Sequence, residues 1–264
     1  MHRQFRCSIL LLAVMAGLLL NRAIAQSVTD PDPSVLSDYL PSAVVPNGFI
    51  ANKWAGPVIY IVDASGRLGT VELATGKVVP LKSLGVLLTD IAFCPNQKLY
   101  GVSFTTLYEI IRSPISLRLI GRFGSLNINA LTCDQQNNLL AHSNSIAGLY
   151  KLNLSTGAAT LIGRTGTYRS SGDLVFHEKE LLLSSVDKRL VALNRVNGAV
   201  QGSVYHGLSN LFGLISIGPN ELIGCKETSI YRINRLTGAV TLLGNYVSSG
   251  LGACYGAAYN GNFR

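Results

Sequence analysis

A unit of about forty residues recurs five times between Val58 and Asn260, and it admits very few folds. The clearest copies run from Gly148-Leu149-Tyr150 through Ser155-Thr156-Gly157 to Leu161-Ile162-Gly163, and from Ser229-Ile230-Tyr231 through Leu236-Thr237-Gly238 to Leu242-Leu243-Gly244. Weaker copies lead to Thr75-Gly76, Ser113-Pro114 and Asn197-Gly198, so the turn positions 76, 114, 157, 198 and 238 follow one another in steps of 38, 43, 41 and 40 residues. Within each copy apolar and polar residues alternate over short runs bounded by Gly, Asn and Pro. That is the period of strands and not of helices. The Thr-Gly and Asn-Gly pairs predict two-residue hairpins, since Gly reaches positive φ at little cost. Four strands per repeat make the blade of a propeller.

A further short strand precedes each Leu-Tyr segment: Asp90-Ile91-Ala92-Phe93, Asn129-Ala130-Leu131-Thr132, Asp173-Leu174-Val175-Phe176, Gly213-Leu214-Ile215-Ser216 and Gly256-Ala257-Ala258-Tyr259. The last has no blade after it, whereas residues 57–63, 67–73 and 77–84 supply three strands without an inner partner. The ring is therefore expected to close 3 + 1, giving an all-β, five-bladed propeller over residues 57–264. The 48% apolar and 14% charged composition suits blades packed on both faces. Ser113-Pro114 and Gln201-Gly202-Ser203 depart from the repeat and predict irregular outer strands there.

The motif Leu-Tyr-x-Ile-Asn-x-x-Thr-Gly-Ala-x-Thr-Leu-Ile-Gly resembles the blade repeat of secreted bacterial β-propeller proteins. It covers residues 57–260 and consists of strand, turn and packing positions. The resemblance implies an extracytoplasmic propeller, often a binding or surface-associated protein.

His2, Arg3 and Arg6 precede the apolar run Cys7 to Leu20, and Ala23-Ile24-Ala25 stand before Gln26. Residues 1–25 read as a signal peptide, too short in its apolar part to span a bilayer, which predicts a secreted or periplasmic product with no transmembrane segment. Residues 26–56 hold four prolines and no strand pattern, and read as an extended lead-in. After removal of the leader, 19 basic and 14 acidic residues remain, spread singly through the blades. That distribution argues against a nucleic-acid partner. A monomer is expected.

Four cysteines then remain. Cys94 and Cys133 fall at matching points of adjacent blades, while Cys225 ends the second strand of blade five and Cys254 leads into the inner strand of blade one, its neighbour in the closed ring; each pair is a geometrically sensible disulfide in an oxidising compartment. Four cysteines allow three pairings, which stay open here. A zinc site on Cys94, Cys133 and His177 lacks any close-spaced ligand motif.

Two sets of residues are candidates for chemistry. The first residues of the inner strands read Asp90, Asn129, Asp173, Gly213 and Gly256, so two carboxylates and an amide stand beside two glycines. Such oxygens suit calcium or acid–base work on a glycosidic bond, and they equally suit hydrogen bonding to main-chain amides at a strand start. The loops entering the inner strands carry Tyr168, Arg169, Tyr205, His206 and Tyr246, rings beside polar groups that suit stacking on sugars or docking on a protein. No Gly-x-Ser-x-Gly elbow, HExxH, phosphate loop or His cluster is present. Asn153-Leu154-Ser155 is a glycosylation sequon. The leading expectation is a non-enzymatic binding protein for a carbohydrate, an envelope component or a protein, with no required cofactor. The alternatives are a hydrolase or lyase using Asp90 and Asp173, with or without calcium, and an adhesive protein without a discrete ligand.

Overall fold

The computed structural model describes residues 57–219, 221–247 and 249–261; the expected leader (1–25) and lead-in (26–56) lie outside them. Blade one is built from β1 (Val58–Asp63), β2 (Arg67–Glu72) and β3 (Val78–Ser83). Blade two follows as β4 (Asp90–Phe93), β5 (Leu99–Val102), β6 (Thr106–Arg112) and β7 (Ile115–Arg122). Blade three is β8 (Ile128–Cys133), β9 (Leu139–Ser143), β10 (Gly148–Leu152) and β11 (Ala159–Arg164). Blade four is β12 (Ser170–His177), β13 (Glu180–Ser185), β14 (Arg189–Leu193) and β15 (Val200–Tyr205). Blade five is β16 (Gly213–Gly218), β17 (Glu221–Lys226), β18 (Ser229–Asn234) and β19 (Val240–Asn245), after which β20 (Cys254–Tyr259) returns to blade one.

The described residues form five four-stranded antiparallel sheets and no helix, a five-bladed β-propeller. The first sheet has the order β20-β1-β2-β3, with Ile59 opposite Tyr259 and Ile61 opposite Ala257, so the ring closes 3 + 1 as the repeat predicts. Around the axis β20, β4, β8, β12 and β16 each neighbour the next, and β16 returns to β20.

Alternation within the strands fills the spaces between blades. One apolar cluster lies between each neighbouring pair: Val62, Leu68, Ile91 and Ile110 between blades one and two, for example, and Ile59, Val71, Ile223 and Ile230 between blades five and one. No blade could bury its faces alone, so closure of the ring is what completes the core.

In blades one, three, four and five the turns between third and fourth strands are longer than two residues, whereas blade two turns on Ser113-Pro114 alone, with Arg112 opposite Ile115. The amides of Gly76, Gly157, Gly198 and Gly238 bond the carbonyls of Glu72, Asn153, Asn194 and Asn234, four residues earlier. The repeated Asn caps the turn: Asn153 Oδ1 accepts from the amides of Ser155 and Thr156 at 2.8 and 3.0 Å, and Asn234 does the same for Leu236 and Thr237. This corrects the two-residue hairpin and explains why Asn and Gly recur together. Gly157 is doubly required, because its φ is +73° and a Cβ would lie 2.6 Å from Gly121 Cα on the preceding blade.

The outer strands are complete in every blade. Each carries one bulge against its neighbour, which shields an edge strand from further pairing. Blade two, with Ser113-Pro114, follows the common pattern, with the bulge between Leu107 and Tyr108. Blade four departs from it: its bulge falls between Ala192 and Leu193, two residues later than in the others.

Candidate functional site

The inner strands converge on a buried pair of carboxyl groups. Asp90 is 0% and Asp173 1% exposed. Asp90 Oδ1 accepts from the amide of Ile91 at 2.7 Å and Oδ2 from that of Leu131 at 2.6 Å, and the amide of Ala257 also bonds this carboxyl. Asp173 Oδ2 accepts from the amide of Leu214, and the carboxyl also takes that of Leu174. Residues 91, 131, 174, 214 and 257 are equivalent by register in the five inner strands, each one residue after Asp90, Ala130, Asp173, Gly213 or Gly256. Two side chains thus gather one main-chain amide from every blade.

The carboxyl groups also hydrogen-bond each other, which requires a shared proton. Burial holds both well above the usual carboxylate range, and for Asp173 the neighbouring Asp90 adds to the effect. The small residues opposite are dictated by this packing. A Cβ on Gly256 would stand 2.5 Å from Asp90 Cα and 2.6 Å from its Oδ1.

Asn129 is not the third member of that ring. A bulge between Ile128 and Ala130 sets it one residue early, and Ala130 occupies the position equivalent to Asp90. Asn129 instead donates through Nδ2 to the carbonyls of Ser171, at 3.1 Å, and Ser170, tying blade three to blade four. Among the described residues no group of three or more His, Cys, Asp or Glu is placed to hold a metal ion.

The loops entering the inner strands separate the remaining candidates by exposure. Tyr205 is 55% exposed, with the Arg189 guanidinium 5.7 Å from its ring centroid, and Arg169 is exposed beside the half-buried Tyr168. Tyr246 is fully buried, its hydroxyl donating to the Glu227 carbonyl at 3.0 Å, and burial pushes its phenol pKa up. His206 is buried, accepts the Leu208 amide on Nδ1 at 3.2 Å, and is held down to about 4 by burial. Those two are packing residues of the loops. Leu87, Phe104, Val186 and Val247 are exposed on the same face, at loop and hairpin tips that carry no strand pattern to announce them.

The opposite end of the channel is open. A cavity of about 620 Å³ runs along the inner strands and is rimmed by Gln135, Gln136, Glu178, Lys179 and Arg195 from the turns on that side. It ends at Ile91, Leu131, Leu174, Leu214 and Ala257, the residues whose amides hold the carboxyl pair. The candidate residues of the inner strands stand at the strand starts, whereas the cavity opens at the strand ends. Nothing in the composition of Ala92, Thr132, Val175 or Ala258 marks a binding wall, because the wall is made by where the strands lie.

Cys94 and Cys133 form the expected disulfide between blades two and three, with Cα atoms 5.1 Å apart. That bond removes the zinc arrangement, and His177 Nδ1 pairs instead with Ser216 Oγ at 2.9 Å. The expected Cys225–Cys254 disulfide is not formed: both are buried free thiols. They touch, and burial pushes the Cys254 thiol pKa up. The register shift in the β1–β20 pairing sets Cys254 out of phase with the rest of β20, and its Sγ lies 3.7 Å from the Gly256 carbonyl.

No family model matches the chain, and no curated protein matches it. Solved structures do. A protein of unknown function from Bacteroides thetaiotaomicron is 16% identical with a TM-score of 0.53, over 83% of this chain and 68% of that one. A chain of a nidogen/laminin complex is 13% identical with a TM-score of 0.52, over 77% and 85%. An inactive virginiamycin B lyase from Staphylococcus aureus is 12% identical with a TM-score of 0.45, over 76% and 74%. The likeness is one of fold. Among the described residues no helix is long and apolar enough to cross a membrane.

Proposed function

We propose that the chain is an exported, non-enzymatic propeller that binds a carbohydrate, a cell-envelope component or a protein. One observation carries the reading: the acidic pair best placed for catalysis is buried and engaged by main-chain amides from all five blades. General acid–base work needs a carboxyl within hydrogen-bond reach of the reacting group. The surfaces that do meet solvent are a channel with a polar rim and a loop face bearing Tyr205 and Arg169, both suited to recognition. The disulfide fits an oxidising compartment, in keeping with the leader-like start of the sequence.

The test is expression with the native N-terminus, followed by calorimetry of the secreted protein against arrays of envelope glycans, envelope proteins and calcium. The expected result is a mature chain beginning at Gln26 and saturable binding of one glycan or protein, recovered chemically unchanged. Turnover of a bound glycan or ester that disappears in Asp173→Asn, with an unchanged melting curve, would replace this reading by the hydrolase or lyase.

A further inference from the structure

We infer that the open channel is the ligand site and that it takes the end of a neutral carbohydrate chain. This rests on the binding reading above and names its site and ligand class.

Each inner strand is hydrogen-bonded to a partner on one side only, so its other edge faces the axis. The amides of Ile91, Leu131 and Leu214 show that edge directly by turning to the carboxyl pair at the closed end. Strand periodicity places the main-chain groups of Phe93, Cys133, Phe176 and Tyr259 on the same edge, nearer the mouth. All four residues line the cavity. A molecule in the bore therefore meets main-chain donors and acceptors set among apolar side chains.

Three ligand classes meet this wall differently. A purely apolar molecule would leave main-chain polar groups without water or partner, at a cost for each one. An ion would find no opposite charge along the bore, because the cavity's charged side chains, Asp134, Glu178, Lys179 and Arg195, lie at the rim with two of each sign. A sugar satisfies the wall, since each hydroxyl both donates and accepts, and its C–H faces suit the half-buried rings of Phe176 and Tyr259. Gln135 and Gln136, both exposed at the rim, add amide donors and acceptors. The volume of about 620 Å³ falls within the range of small-ligand sites. Because the cavity stops at the carboxyl-bound ring, the chain's end enters and its middle does not.

Calorimetry with maltotetraose, cellotetraose and chitotetraose tests this on the mature protein. Thr132→Trp fills the bore. A Gln135→Ala, Gln136→Ala, Lys179→Ala triple variant strips exposed rim groups and leaves the core untouched should the tryptophan variant misfold. Tyr205→Ala alters the opposite face. The expected result is binding of at least one sugar, weakened tenfold or more by the rim variant and by Thr132→Trp, and unchanged in Tyr205→Ala. Sugar binding that survives both channel variants and is lost in Tyr205→Ala overturns the channel as the site and leaves the binding reading intact. Failure of all three sugars to bind overturns the carbohydrate assignment, while saturable binding in the protein array would still uphold the wider reading.

Discussion

The two ends of the channel are built from the same five strands and do opposite things. At the closed end Asp90 and Asp173 collect an amide from each blade, and water is excluded. At the open end the blades are linked by the Cys94–Cys133 disulfide, the His177–Ser216 bond and a bond from the Asn96 amide to Asn137 Oδ1 at 2.9 Å, all set around a cavity. Buried polar groups at the axis thus serve as a keystone in one place, while in another the same strands leave their main-chain edges facing an open cavity. Which of the two a carboxylate does depends on whether main-chain donors reach it first.

The sharpest way to break this contrast is to remove the keystone. Asp90 accepts three amides and Asp173 two, so Asp90→Ala is expected to lower stability by about 5 kcal/mol, and Asp173→Ala by somewhat less. Urea titration measures both. A stability change under about 1 kcal/mol for either would mean the pair does not hold the axis.

At the open end the corresponding link is covalent. Cys94 and Cys133 are 39 residues apart, a loop whose closure contributes about 4 kcal/mol in the chain-entropy account. The double variant Cys94→Ser, Cys133→Ser should lose most of that in the same titration. Cys225→Ser should show no added response to a reductant, since that thiol is free.

Acid separates two buried groups of the closed end. His142, fully buried near the closed end with Nε2 2.9 Å from Thr165 Oγ1, is pushed down to about 3 by burial. Its unfolded form takes up a proton below about 6.5, so stability should fall by about 1.4 kcal/mol per pH unit from there toward pH 3. The carboxyl pair has the opposite sign. Its folded pKa is raised, so its contribution is full below the unfolded value of 3.8 and declines as pH rises toward the folded value. Acid therefore weakens the fold through buried histidines, His142 foremost and His206 beside it, and not through the keystone. His142→Gln should flatten the fall in melting temperature between pH 6 and 4, and an unchanged slope would assign acid sensitivity elsewhere.

The fold was legible because its signals are local and repeated. Asn153 and Gly157 announce a turn wherever their pattern recurs, and the unpaired strand at residues 256–259 announces closure. The site was legible only in part. Asp90 and Asp173 stand out as acids in an apolar strand, yet their five amide partners come from residues far apart in the chain. Asn129 shows the limit of counting along a repeat, since one bulged residue moved it off the ring. Tyr246 and Tyr205 occupy comparable loops, and only packing distinguishes the buried one from the exposed one. The cavity had no sequence signal, because main-chain edges write nothing into side-chain identity.

The smallest expected effect is at the rim. Arg195 lies 4.0 Å from Asp134 with its side chain 55% exposed, a pair expected to contribute little in water. Asp134 does not depend on it: its Oδ1 accepts the amides of Gln136 and Asn138 at 2.9 and 2.8 Å, and Oδ2 accepts from Asn138 Nδ2 at 2.8 Å. Arg195→Ala should therefore change stability by no more than about 0.5 kcal/mol. Asp134→Ala, which releases the turn between β8 and β9, should cost clearly more. Equal losses from the two, read by urea titration, would mean that the ion pair and not the capped turn fixes the rim, and would bring the open end closer in kind to the closed one.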